Sequence, residues 1–187
     1  MTTPQHTTPE HTPEHTTPQD NAPEHTADPD SRAKVTELIR AGRICMFTTM
    51  TPDGRHVSRP MGLQEVEFDG DLWFFAYEDS PKIAEIAAHP QVNVAFGTKS
   101  NAWVSVSGPA EVVHDRGKAE ELWSPMLKAW FPEGLDTPGL TLIKVHAESA
   151  EYWDAPHGRV VTLIQYAASA ALRRTPPIGE NKVVDLS

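Results

Sequence analysis

The chain changes its hydrophobic rhythm several times, and each change marks an element. Val35, Leu38 and Ile39 recur at helical spacing between Ser31 and Gly42, which predicts a short helix ended by glycine. Ile44 to Met50 reads as a strand. It leads through the turn residues Thr51-Pro52-Asp53-Gly54 into a second strand carrying Arg59. Val66 to Phe68, Asp69-Gly70-Asp71 and Leu72 to Tyr77 read as a further hairpin. A helix over Pro81 to Ala88 stops at His89-Pro90, and Val92 to Phe96 resumes the strands. Ala102, Val104 and Val106 alternate with Trp103, Ser105 and Ser107, a strand with one apolar face that continues to His114. From Asp115 to Trp130 an apolar stripe of Ala119, Leu122, Trp123, Met126, Leu127 and Trp130 predicts a helix, which Pro125 should kink or split. Leu140 to Tyr152 and Arg159 to Gln165 complete the strands, and a polar tail follows Arg174. Six or more short antiparallel strands with helices inserted between hairpins predict a small, mainly β barrel.

Two positions in this pattern call for a ligand. In an extended segment Val57, Arg59, Met61 and Leu63 share one face, so Arg59 stands among apolar neighbours. A guanidinium there requires a negative partner, and its planar fork suits a phosphate. Ser80-Pro81 reads as a helix start, with serine capping and proline at the first helical position. Lys82 then lies in the first turn, where the helix dipole opposes a cation and favours a bound anion. The plain alternatives stay open: Arg59 reaching solvent or pairing with Glu65 or Glu67, and Lys82 as a solvated side chain.

Composition divides the 187 residues into a tail at 1–30, one domain at 31–174 and a C-terminal tail at 175–187. Residues 1–30 hold six prolines, eight threonines, four histidines and six acidic residues with no lysine or arginine, so they offer nothing to a core and read as disordered. Thr-Pro-Glu-His recurs at 8–11 and 12–15, echoed by Ala-Pro-Glu-His at 22–25. The irregular spacing of His6, His11, His15 and His25 favours solvated histidines over a metal site. The tail lacks the pattern of a signal or transit peptide, and no run approaches the ~20 apolar residues of a membrane span, so a soluble, cytoplasmic protein is expected. A formal charge of −10 without a basic run argues against nucleic acid as a partner. Cys45 is the sole cysteine, which rules out an intrachain disulfide and suggests a small buried apolar role.

Several short motifs in order complete the reading: Ser58-Arg59-Pro60-Met61, Leu72-Trp73-Phe74-Phe75, Ser80-Pro81-Lys82, Trp103 to Gly108, Leu122-Trp123, Trp130-Phe131-Pro132 and Glu151-Tyr152-Trp153-Asp154. With these intervals the chain from about Val35 to Leu186 resembles the pyridoxamine 5′-phosphate oxidase-like flavoproteins of split-barrel fold, in particular the general stress protein 26-like branch. The resemblance implies a homodimer with FMN at the subunit interface. It implies that Arg59 and Lys82 hold the 5′-phosphate with a hydroxyl from Ser80. Pro60, Met61, Phe75 and Ala76 would face the isoalloxazine ring, Trp103 falls near the next flavin-contacting position, and Trp153 could stack on a flavin edge from the other subunit. Trp123 and Trp130 read as packing.

The chain departs from the true oxidases at its C-terminus, where Gly179 to Leu186 replaces their region rich in arginine and tryptophan, so vitamin B6 is not the expected substrate. The resemblance implies a flavin-dependent oxidoreductase of the stress-response type in which the cofactor carries the chemistry, with a nicotinamide as one candidate electron donor and the sequence itself silent on the donor. Alternatives are a flavin binder without a dedicated substrate, or the same fold holding the deazaflavin F420 or haem. No Ser/His/Asp arrangement is evident, and His56 falls on the strand face opposite Arg59.

Overall fold

The computed structural model describes residues 25–26, 29–64, 68–99, 101–154 and 180–186. In chain order the elements are β1 (His25–Thr26), α1 (Pro29–Ala41), β2 (Ile44–Met50), β3 (His56–Gly62), β4 (Asp71–Tyr77), α2 (Pro81–Ala88), β5 (Gln91–Gly97), β6 (Trp103–Val113), α3 (Arg116–Leu122), β7 (Leu140–His146), β8 (Ser149–Asp154) and β9 (Glu180–Asp185). Two 3-10 turns, Pro125–Ala129 and Gly134–Asp136, lie between α3 and β7.

The strands form a curled, mainly antiparallel sheet in the order β1-β9-β8-β6-β5-β2-β3, with β7 alongside β6 and β4 alongside β7. Only the short β1–β9 pair is parallel. The sheet closes around a core of α1 (Val35, Leu38, Ile39) and the inward residues of the strands, including Phe47, Phe74, Phe96 and Ile143. A smaller cluster covers the other face of β4: Phe75, Leu122, Leu127, Phe131 and Leu142 pack there, with Trp73, Tyr77 and Trp123 around them. β4 is thus apolar on both sides, which explains its unbroken Leu72-Trp73-Phe74-Phe75 run.

The long strand β6 organises the curl. Its first half pairs with β5 and β8, and its second half, Ala110–Val113, pairs with β7. At the transition stands Gly108, where a Cβ would lie 1.8 Å from the carbonyl oxygen of His146. Only glycine allows this approach. Opposite it the expected continuous strand from Leu140 to Tyr152 breaks into β7 and β8, because the Ala147 N–H donates to Gly70 O (2.8 Å) and the Glu148 N–H to Ser107 O (3.0 Å).

Other sequence expectations need correction. The split expected at Pro125 is found, with α3 ending at Leu122, but the second piece is a 3-10 turn starting at Pro125 rather than α-helix. Proline removes a helical donor and holds Ser124 extended, at φ −122° and ψ 148°. β4 pairs with β7, while the hairpin expected between 66–68 and β4 falls mostly outside the described residues; on that side the Gln64 N–H donates to the Trp73 carbonyl (3.3 Å). The predicted strand at Arg159 to Gln165 also lies outside them. The polar C-terminal tail contains β9, which pairs with β8 and buries Val184 completely. On the N-terminal side, α1 begins at Pro29 and His25–Thr26 pairs with β9, both within the segment read as tail.

One edge of β3 and one edge of β4 stay unpaired among the described strands. The barrel is split along that seam.

Candidate functional site

Arg59 and Met61 of β3 lie on the side of the sheet that faces the core, since their register partners Phe47 and Cys45 are buried, while Val57, nearer the start of the strand, is exposed. Arg59 therefore points into the molecule, as the parity of the sequence requires. Glu65 and Glu67, the partners the sequence offered, lie outside the described residues. Nη2 donates to Glu85 Oε2 (2.8 Å) and Nη1 to Thr49 Oγ1 (2.8 Å), and the Thr49 hydroxyl donates to the same Glu85 oxygen (2.5 Å). Glu85 and Thr49 are both buried.

Glu85 belongs to α2, one turn after Lys82, so the helix delivers a cation and an anion to the same neighbourhood. Lys82 is half-buried and forms no hydrogen bond or ion pair among the described residues. Burial first, and the Arg59 charge second, lower its pKa below the ordinary 10.5; Glu85 and Asp79 act in the opposite direction. The guanidinium has five N–H donors, of which Nη1 and Nη2 spend one each, leaving three for another acceptor.

These cations border a cavity of about 420 Å³ at the seam. Arg59, Pro60, Met61 and Gly62 of β3 line one side, Phe75, Ala76 and Tyr77 of β4 another, with Lys82 from α2. Apart from the two cations, Gln64 and Tyr77, the described lining is apolar, and among the described residues neither a carboxylate nor a histidine contributes to it. A volume of this size, an apolar body and cations at one part of the wall suit a largely apolar ligand ending in an anion.

Six of the nine residues singled out from the sequence meet in this cavity: Arg59, Pro60, Met61, Phe75, Ala76 and Lys82. Ser80 does not line it. Its hydroxyl donates to the Tyr77 carbonyl (2.6 Å), so it makes no side-chain cap on α2, contrary to the expected capping role. Trp103 and Trp153 stand opposite each other in register on β6 and β8, on the outer face of the sheet, 57% and 36% exposed, and neither reaches the cavity within this chain.

The sequence reading passed over Tyr77, Leu127, Trp130 and Phe131, which wall the cavity from the far side. Trp130 in particular is 63% exposed rather than packed. The Tyr77 hydroxyl donates to the Trp130 carbonyl (2.7 Å) and fixes the 3-10 segment over the cavity. A trace was legible in Pro125, since a break in the helix leaves Trp130 off the predicted stripe.

Fold and cavity together define a mainly β split barrel with an apolar pocket and a pair of cations at its open seam. The chain belongs to the pyridoxamine 5′-phosphate oxidase like family, whose pattern matches residues 30–177. Protein bli-3 of Neurospora crassa is 30% identical over 129 residues, spanning 63% of this chain and 62% of that protein. A candidate general stress protein 26 from Jannaschia sp. CCS1 superposes with a TM-score of 0.66 at 23% identity, covering 84% of this chain and 98% of the other, a likeness of fold alone. The general stress FMN/FAD binding protein of Xanthomonas citri superposes with a TM-score of 0.58 at 28% identity, covering 66% of this chain and 89% of that one. No helix among the described residues is long and apolar enough to cross a membrane.

Proposed function

We propose that the seam cavity binds FMN and that the protein is a flavin-dependent oxidoreductase of the general stress type, accepting electrons from a nicotinamide donor. The observation that carries this reading is Lys82: a half-buried ammonium without a hydrogen-bonded partner among the described residues, beside Arg59, on the wall of an apolar cavity. Lys82 is poorly placed for stability by itself, whereas Arg59 is held by Glu85 and Thr49 with three N–H donors to spare. Together they form a site for a phosphate dianion, with the guanidinium as a fork and the ammonium as a point charge.

In this reading Arg59 and Lys82 hold the 5′-phosphate, and Pro60, Met61, Phe75 and Ala76 lie against the ring system. Bound flavin would supply the redox chemistry. The chain's own residues bind, orient and exclude water. The FMN/FAD binding description of the Xanthomonas citri relative supports the choice of flavin. Phosphate recognition alone would equally suit F420, so ligand spectra are part of the test.

The same reading includes a homodimer. Ile44 (69% exposed), Met46 (45%), Trp103 and Trp153 project from the outer face of the sheet, where Met46 pairs in register with Ala95. Ile44 also lines the cavity, so a second copy seated on this face would complete the cavity wall and could bring Trp153 to the flavin. Ser80 keeps only an indirect part, holding the Tyr77 end of the loop into α2.

The test is to purify the full chain, record its visible spectrum and the mass of any bound ligand, titrate FMN, riboflavin, F420 and haem, and then add NADH or NADPH anaerobically. Bound FMN bleached by either nucleotide supports the oxidoreductase. FMN that binds and stays oxidised leaves a flavin carrier, and binding of F420 or haem in its place refutes the cofactor assignment.

A further inference from the structure

We propose that Glu85, acting with Thr49, is a positioning residue that aims Arg59 into the seam cavity and sets how strongly the site prefers a phosphate-bearing ligand over its phosphate-free counterpart. The inference rests on the cavity being a flavin site, as proposed above, and concerns residues that the cavity does not expose.

Neither Glu85 nor Thr49 is among the lining residues, yet both are buried directly behind one that is. A single carboxylate oxygen, Glu85 Oε2, receives two donors: Arg59 Nη2 at 2.8 Å and the Thr49 hydroxyl at 2.5 Å. Thr49 Oγ1 in turn accepts from Arg59 Nη1 at 2.8 Å, so guanidinium, hydroxyl and carboxylate close a ring of three hydrogen bonds. The ring holds both terminal nitrogens of Arg59 from two separate elements, β2 and α2. A long, flexible side chain is thereby fixed in one orientation before a ligand arrives, which lowers the ordering cost of binding.

The ring also has an electrostatic consequence. Glu85 places one negative charge behind two positive ones, offsetting part of the attraction that Arg59 and Lys82 exert on an anion. Geometry and charge act in opposite directions on phosphate affinity, so conservative substitutions separate them. Glu85→Gln keeps a side-chain oxygen for Thr49 and Arg59 while deleting the charge. Thr49→Val keeps the shape while deleting the hydroxyl.

The readout is the ratio of dissociation constants, riboflavin over FMN, measured by flavin fluorescence with the full-length protein. A purely structural role changes both constants together and leaves their ratio intact. Expected results are a ratio raised at least tenfold in Glu85→Gln, since at an effective dielectric of about 20 a unit charge even ~10 Å from the phosphate changes its affinity by more than that factor. Thr49→Val should lower it several-fold, and Thr49→Ser should restore it. A wild-type ratio in both Glu85→Gln and Thr49→Val overturns the inference while leaving the flavin site standing. Should Glu85→Gln fail to fold, the Thr49→Val and Thr49→Ser pair decides alone. A wild-type protein that binds FMN and riboflavin equally refutes the phosphate site itself, and this inference with it.

Discussion

Replacing Lys82 by methionine tests the phosphate site from two directions at once. Methionine keeps the apolar stem and the length of lysine while removing the charge, so the packing of α2 should survive. A charge-assisted hydrogen bond to a phosphate is worth about 1.5–3 kcal/mol, which corresponds to a loss of FMN affinity of roughly 10- to 150-fold. Riboflavin, which has no phosphate, should bind the variant as it binds the wild type. Affinity should also depend on pH. The free protein holds the Lys82 pKa below 10.5, through burial and the Arg59 charge, whereas a phosphate beside the ammonium raises it. Binding therefore takes up a proton at alkaline pH, and FMN affinity falls as pH rises through the lowered pKa. Lys82→Met should lack that fall.

The stability of the ligand-free protein moves the opposite way. Because the folded state disfavours protonated Lys82, the unfolded chain binds more protons between the lowered pKa and 10.5. Stability contributed by this group rises with pH across that window, and the unfavourable part is fully present below it. Lys82→Met removes that unfavourable part, so the ligand-free variant should be at least as stable at neutral pH as the wild type in urea unfolding. Equal FMN affinity in variant and wild type, or a variant that loses FMN only because it has lost stability, would refute the assignment of Lys82 to the phosphate.

Three other outcomes are expected. Gly108→Ala places a methyl group against the His146 carbonyl and should destabilise the fold by about 3 kcal/mol, seen as a lowered urea midpoint, because the atoms it meets are backbone rather than a flexible side chain. Cys45 lies buried with its Sγ donating to the Met61 carbonyl (3.4 Å), and burial pushes its pKa up to about 12. The native protein should then leave a thiol reagent unreacted at pH 8 and react with one equivalent when unfolded; rapid native reaction would show that the core around β2 opens. Trp103→Ala with Trp153→Ala should weaken self-association in sedimentation velocity without lowering the urea midpoint extrapolated to the monomer, and an unchanged sedimentation profile would remove the outer face as the dimer surface.

Local pattern was enough to place β2, β3, α2, β5 and β6, because each carries its own signal: alternation, a glycine turn with Gly54 at φ +86°, or a proline at the helix start. It failed where tertiary pairing decides. The corner between β7 and β8 depends on hydrogen bonds to Gly70 and Ser107, both distant in sequence, and a window of residues around Ala147 contains neither. β9 was hidden for a related reason: Val183-Val184-Asp185-Leu186 is too short a run to outweigh its polar surroundings until β8 offers an edge. At the site, strand parity placed Arg59 on the inner face, but the acid it meets is Glu85, 26 residues on. The signal existed in α2, where Lys82, Glu85 and Ile86 occupy one helical face, and an acid on the buried side of a helix needs a partner as much as an arginine does.

That two such residues found each other changes the argument from burial to ligand. An arginine on an apolar face seemed to require an external anion, and Glu85 answers the requirement internally. What remains unanswered is Lys82. One carboxylate satisfied by a guanidinium and a hydroxyl leaves the ammonium half-buried beside a like charge, an arrangement that costs stability in the ligand-free protein. The seam between β3 and β4 supplies the setting in which that cost has a use: two edges unpaired among the described strands, apolar walls, and a cation pair of which Arg59 is held rigid and Lys82 is left available. A site built for packing alone would have closed the seam or neutralised the lysine. The case for a bound anion therefore rests on Lys82, the member of this pair without a partner among the described residues, rather than on the arginine the sequence first singled out.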